Sequence, residues 1–398
     1  MLAPTTVRAS LKVGSAMLLS AGLLAGCGVL EHTVPPTMPP AHGVTVISGL
    51  NSPQGVLVAP DGTVWAADSG TGGGNKFSLP GDPTTTPPTP DTPVSYGATG
   101  RVVRLTPGGA QSVVATTTSI QEGEEATAGA KLALLNGNVY VANGTWGGDL
   151  DDLIHTHPAE LSAVLRLDGA ATSVVADLWN FEKTNNPDKN QPYMPELDSH
   201  AYGLTAGPDG NLYVADAAGN DVLRLDPATG KLSLVAVFGP VTQPVGPNGA
   251  AVPFQPVPTA VAFGTDGTMY VSLLPGGPAL PGTTKVVKVA PGGAVSDFAT
   301  GLTTLTDLKT GPDGNLYATS VGPYGEQEGP VAGGGAILRV KPDDAGKPAS
   351  ETVLNGLNQP TAIAFNARGD AFVALGGASA PGKGRVVRYD FLTNYQAQ

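Results

Sequence analysis

Short runs in which apolar and polar side chains alternate with a period of two recur along the chain, each broken by a glycine-containing turn. Residues 207–216 read GPDGNLYVAD and residues 311–320 read GPDGNLYATS. GPDG is turn chemistry, because Gly and Asp tolerate the backbone angles a tight turn needs, and LYV favours an extended strand. Six hairpins of this kind are predicted, at 52–70, 130–144, 201–219, 258–276, 305–322 and 360–377. A third strand follows each one, beginning near Arg101, Ala163, Asp221, Lys285, Ala336 and Arg385. In five of them a further turn leads to a fourth strand.

Four antiparallel strands repeated six times predict an all-β fold, a six-bladed β-propeller with four-stranded blades. The last repeat stops after its third strand, at RVVRYDFL, while an unpartnered strand, GVTVISGLNSP (43–53), precedes the first hairpin. That segment is similar to the fourth strand ETVLNGLNQP (351–360). The expectation is that it pairs with the last blade and closes the ring. Inserted loops lengthen the repeats: 75–100, rich in Pro and Thr, 145–161, with a possible helical turn, and 180–200, all in the first half of the chain.

Composition narrows the functional classes. The 398 residues include 55 glycines and 37 prolines, as a fold of many short strands and turns requires, and 41% are hydrophobic. Only 14% are charged and the formal net charge is −12, which excludes a nucleic-acid partner and gives no attraction to an anionic membrane surface. At the N-terminus, Arg8 and Lys12 precede the apolar run AMLLSAGLLAG (16–26), too short to span a bilayer and patterned as a signal peptide. Cys27, the single cysteine, follows directly, and LLAGCG resembles the lipobox of bacterial lipoproteins. The expected organisation is a signal peptide at 1–26, a Pro-rich tether at 27–42 carried by a lipidated Cys27, and a propeller at 43–398. That places a monomer on the bacterial cell envelope, outside the cytoplasmic membrane or in the periplasm.

Three segments carry a family resemblance: GATGRVVRLTPGG (97–109), NNPDKN with LDSHAYGL (185–190 and 197–204), and VPTAVAFGTDGTMYVSLL with FATGLTTLTDL (257–274 and 298–308). The chain resembles the ScyD/ScyE family over most of 43–391, a group related to NHL and gluconolactonase-like six-bladed propellers. His200 and Ala201 stand where the family pattern has an Asn-Pro pair before Tyr202. The gluconolactonase-like relationship implies a divalent cation, calcium, in the central channel, held by Glu, Asn and Asp from different blades. The first blade offers Gln54 and no Glu, and no complete ligand set can be matched, so no cofactor is predicted from the residues.

Counting back from each turn glycine gives one slot at the start of the innermost strand, occupied by Gln54, Tyr202, Thr259, Thr306 and Thr361. All are polar, as expected near the mouth of a central channel. The next slot is small except for Asp307, and Lys309 lies two residues on; the pair lines the channel or forms an internal salt bridge. His200, just before such a strand, can reach the mouth. His155 and His157 sit among Asp149, Asp151, Asp152 and Glu160, which makes either a zinc-like ligand cluster or a solvated acidic loop. Trp146 and Trp179 are candidates for a ligand-facing surface, and Trp65 for the core. No GxSxG nucleophile elbow occurs. The expectation is a binding module for a small molecule or a cell-envelope protein, without identified catalysis. The alternative is a metal-dependent lactonase or esterase, or a streptogramin-lyase-like enzyme, acting at the channel mouth; a purely structural envelope role is a third.

Overall fold

The computed structural model describes residues 43–84, 87–193, 195–325, 329–346, 348–390 and 392–394. The predicted signal peptide, Cys27 and the tether lie outside the described residues. The turns fold as their spelling requires. Gly210 and Gly314 adopt φ of +76° and +80°, where a side chain would be strained. In the same turns, Asp209 and Asp313 accept the backbone N–H of Asn211 and Asn315.

Each hairpin is the start of an antiparallel sheet. The first sheet contains Pro53–Val58, Val64–Asp68, Thr92–Leu105 and Gln111–Glu122, and the second contains Gly129–Leu135, Asn138–Asn143, Ala163–Asp168 and Ala171–Asp177. The third contains Asp198–Ala206, Leu212–Asp216, Asp221–Asp226 and Lys231–Val237, with Thr145–Gly147 added beside Asp198. The fourth runs through Pro258–Phe263, Met269–Leu273, Thr284–Val289 and Val295–Leu302. The fifth runs through Leu305–Thr310, Leu316–Ser320, Gly335–Val340 and Ser350–Leu357. The sixth joins Pro360–Phe365, Ala371–Leu375 and Gly384–Tyr389 to Val44–Leu50. In that last pairing Val44 lies opposite Arg388 and Leu50 opposite Gly384.

The first strands of consecutive sheets touch one another in order, and the first strand of the sixth sheet touches that of the first. Side-chain hydroxyls fasten three of these junctions. Thr259 donates to Leu305 O (3.0 Å), Thr306 to Pro360 O (3.1 Å) and Thr361 to Pro53 O (2.6 Å), each acceptor being the first residue of the next sheet. Between neighbouring sheets the apolar faces interdigitate. Tyr213, Ala215 and Val222 of the third meet Val261, Val271 and Val287 of the fourth. Ile47, from the N-terminal strand, is fully buried with Phe372 and Val386 of the sixth sheet and Val56, Val64 and Val103 of the first.

The insertions build a nucleus of their own. Asn75–Leu79 pairs with the start of Thr92–Leu105, so the third strand of the first sheet begins before the Arg101 expected from the sequence. Helix α1 (Gly148–Ile154) fills the second insertion and helix α2 (Leu178–Asn185) opens the next. Helix α2 starts where Asp177 accepts the Asn180 N–H, a side-chain N-cap. Leu79, Val94, Ile120, Leu150, Leu161 and both Trp146 and Trp179 form one buried cluster. This corrects the expectation of a ligand-facing tryptophan surface: segments lying outside the sheets' own cores need apolar burial to offset the entropy of ordering them.

Replacing Ile47 with Ala is expected to destabilise the protein by about 3 kcal/mol, the usual cost of emptying a buried aliphatic site. Chemical denaturation measures this, and a loss under about 1 kcal/mol would show that the N-terminal strand contributes little to the junction of the sixth and first sheets.

Candidate functional site

The polar slot read from the sequence coincides with a β-bulge. In the first strand of each sheet the register shifts between Pro53 and Gly55, Gly129 and Leu132, Ala201 and Gly203, Pro258 and Ala260, Leu305 and Asp307, and Pro360 and Ala362. Gln54, Tyr202, Thr259, Thr306 and Thr361 are the extra residues in five of these shifts. A bulge re-aims the side chain it inserts. The structure therefore gives the recurrence a backbone cause.

The site residues then divide. Thr259, Thr306 and Thr361 are buried and their hydroxyls are taken by the junction bonds above, Thr259 also meeting Ser272 and Thr306 meeting Thr319. Gln54, Tyr202 and His200 come together with a residue the sequence reading passed over, Lys131. Tyr202 donates to Gln54 Oε1 (3.2 Å), and Gln54 Nε2 donates to Gly377 O (3.0 Å). The Lys131 ammonium stands 4.3 Å from the centre of the Tyr202 ring and donates to Gln54 O (2.8 Å) and Thr361 O (2.9 Å). His200 lies edge-on to Tyr202, with ring centres 5.4 Å apart, and its backbone N–H donates to Asp216 Oδ1.

Lys131 shares with Asp307 the slot after the bulge, where Gly55, Gly203, Ala260 and Ala362 stand in the other sheets. Space is short there: a Cβ on Gly55 would fall 2.0 Å from Ala130 O. Asp307 accepts N–H groups from Leu308 (2.9 Å) and, across the sheet junction, from Ile363 (3.0 Å). Lys309 lies 3.9 Å from Asp307 Oδ1 and donates to Leu204 O at 3.5 Å, so the predicted pair is present but loose.

Burial sets the electrostatics. Lys131 is 1% exposed, and loss of water brings its amine down to about 8, against attraction from Asp307 and with repulsion from Lys309. His200 falls to about 4 through burial first and Lys131 second, so its imidazole is neutral at pH 7. Tyr202 is pushed well above the ordinary phenol range by burial, then by Asp307, and remains a donor. A divalent cation does not fit this set. Two ammonium groups, Lys131 and Lys309, act on the space beside its carboxylate, Asp307, and repel a further cation.

The histidine-rich insertion does not converge. His155 caps α1 in a left-handed conformation and is exposed, while His157 is bonded to Leu161 O and lies tilted against Trp146, ring centres 5.2 Å apart. Glu160 bonds Thr118 and Thr172, and Asp151 bonds Lys183. Among the described residues no three His, Cys, Asp or Glu side chains stand ready at metal-ligand geometry.

No protein-family model matches the chain, and no curated protein does. Among solved structures it is similar to a putative oxidoreductase (glucose dehydrogenase) from Thermus thermophilus, at 20% identity over 87% of this chain and 99% of that one, with TM-score 0.50. It is also similar to a gluconolactonase from Xanthomonas campestris, at 14% identity over 88% and 89%, with TM-score 0.50. The fold is a β-propeller. A virginiamycin B lyase from Staphylococcus aureus is more remote, at 11% identity over 87% and 99% and TM-score 0.43. In the propeller's terms, Lys131, His200, Tyr202 and Gln54 sit where innermost strands meet.

Lys131 binds fewer protons folded than unfolded between pH 8 and its ordinary 10.5, so its contribution to stability rises with pH across that window. The stability of the unmodified protein relative to Lys131→Met is expected to increase by roughly 2 kcal/mol from pH 8 to 10. Denaturation of both proteins across the series checks it; a constant difference would mean an amine that titrates as in water.

Proposed function

We propose that the propeller has six four-stranded blades, closed into a ring by the N-terminal strand, and that it is an enzyme acting on a small carbonyl compound, a lactone or ester, at the channel mouth. The arrangement of Lys131, Tyr202 and His200 carries this reading. It holds an imidazole that is neutral at pH 7, a phenol that stays protonated and an amine near its titration point. Perturbed groups brought together in this way are the usual mark of acid–base chemistry. His200 is the base, taking a proton from attacking water or from carbon next to the carbonyl. The Lys131 ammonium stabilises the oxyanion or enolate that forms, and Tyr202 donates to the departing oxygen. Burial is the first cause of each displacement, and it is the convergence of the three groups that favours the enzyme reading over the binding role expected from the sequence.

One similar structure is a gluconolactonase, whose lactone substrate is a carbonyl compound of the same kind, in support of this reading. We infer no metal step in the channel, because the donor set there is cationic. The signal-like run before Cys27 supports an exported, lipid-anchored protein of the cell envelope, and the three quoted segments support membership of the ScyD/ScyE group.

Assay against a panel of lactones and aryl esters tests the reading. Turnover is expected to rise through about pH 4 and fall through about 8, the limbs belonging to His200 and Lys131. His200→Ala and Lys131→Met are each expected to lose about 100-fold or more in kcat/KM while still folding. Turnover unchanged in both variants, or none on any substrate, would return the chain to the binding role.

A further inference from the structure

Each of the six sheets sets an aromatic side chain of its second strand opposite a cation of its third; Trp65 faces Arg104 in the first and Tyr213 faces Arg224 in the third. In most of them an acid pairs with the cation: Arg166 with Asp168 (2.8 Å), Arg224 with Asp209 (2.8 Å), Arg339 with Glu351 (3.4 Å) and Arg388 with Asp390 (2.8 Å). In the fourth sheet Lys288 lies against two rings, Tyr270 and Phe298. Arg104 has neither arrangement. Its guanidinium carbon stands 5.7 Å from the centre of the Trp65 ring. Its Nε is buried without a hydrogen-bond partner, and among the described residues no acid lies within ion-pair distance of it.

The third sheet shows what is missing. There Asp209, in the turn, holds Arg224 (2.8 Å) and the Tyr213 hydroxyl (3.2 Å) at once. Asp61, the corresponding turn acid of the first sheet, bonds Thr63, and Trp65 offers no hydroxyl to draw it toward Arg104. The guanidinium instead lines a groove of about 580 Å³ between the first and second sheets, a size within the range of small-molecule sites. Trp65 and Val113 of the first sheet form one wall, and Val139 and Leu167 of the second form the other. Trp65 and Arg104 are half-buried and Val113 is 52% exposed. Gly137 and Gly169 in the lining carry no side chain to fill it. The lining holds no carboxylate, and Asp168, next to Leu167, is taken by Arg166 and the Ser173 hydroxyl.

We propose that this groove binds a small aromatic carboxylate, its charge paired with Arg104 and its ring laid against Trp65 and Val113. A carboxylate meets a guanidinium through two parallel N–H bonds, which supplies the counter-charge that the other sheets build in. Behind the charge, an indole face and apolar walls favour a flat, apolar body. A purely apolar ligand would leave the guanidinium without its counter-charge, and a cationic one would be repelled. None of the lining belongs to the innermost strands that carry Lys131, Tyr202 and His200. The inference is therefore independent of the enzyme reading, since a protein without turnover would still bind the acid.

The full-length chain is titrated calorimetrically with 1-naphthoate and with its uncharged counterpart, 1-naphthamide, while the tryptophan indole N–H signals are followed by NMR. Trp146 and Trp179 are buried elsewhere and serve as internal controls. The expected result is about one naphthoate per chain at submillimolar affinity, with the amide bound about tenfold more weakly or worse. Of the indole signals, that of Trp65 is expected to move. Arg104→Met is expected to lose about tenfold or more in naphthoate affinity. Val113→Asp, which sets a like charge at an exposed position and leaves the core untouched, supplies the same comparison should Arg104→Met fail to fold. No binding at millimolar naphthoate, or equal affinity for acid and amide, would overturn the proposal. So would undiminished affinity in both variants, or binding that leaves the Trp65 signal in place.

Discussion

The ammonium of Lys131 is the interaction around which the centre of the molecule is arranged. It leaves the second sheet, bonds carbonyls of the first and sixth, lies on the ring of Tyr202 from the third and is attracted by Asp307 of the fifth. One buried charge therefore reaches five of the sheets. Removing an amine from water is costly, and the cost falls here because carbonyl oxygens, a π face and a distant carboxylate replace the lost solvation. The same balance brings the amine into the physiological titration range, which is what the proposed chemistry needs.

Close approach of the first strands explains the rest of the wall. With so little room beside Gly55, the slot after the bulge takes Gly or Ala except at Lys131 and Asp307. The bulge before it takes polar residues for two different reasons. In the fourth, fifth and sixth sheets it supplies hydroxyls that tie each sheet to the next. In the first and third it supplies Gln54 and Tyr202, whose polar ends meet each other. A repeated sequence slot thus ties sheets together on one side of the molecule and lines the proposed site on the other.

Much of this was legible in the sequence and some was not, for physical reasons. The turns were readable because GPDG encodes positive φ and an Asp acceptor locally, and the hairpins followed from period two. The polar slot was readable because it recurs at a fixed distance from the turn glycine. Lys131 was passed over because the second hairpin's turn is one residue shorter: the same count back from Gly137 lands on Gly129 and Ala130, and only the strand register puts Lys131 in the slot of Gly55. Helix α2 left a signal in Asp177 as N-cap with Leu178, Trp179 and Glu182 buried on one side. Asp216 and Asp221 face each other across one hairpin, but that Glu182 and Asp188 join them was beyond reach, since those two arrive only through the packing of an insertion. The tryptophans misled for a related reason: in a polar loop they read as exposed, yet they are the nucleus that lets the insertions fold.

The central claim is that a lysine at the convergence of the sheets is held near neutrality. Its most direct test is a carbon NMR titration of the Lys131 side chain in protein labelled at lysine Cε, assigned by comparison with a Lys131→Met sample. A midpoint close to 8, far from those of the surface lysines, is the result predicted. A midpoint at the ordinary 10.5 would contradict the account, because the amine would then be solvated and neither the wall nor the proposed site would have the electrostatics assigned to it.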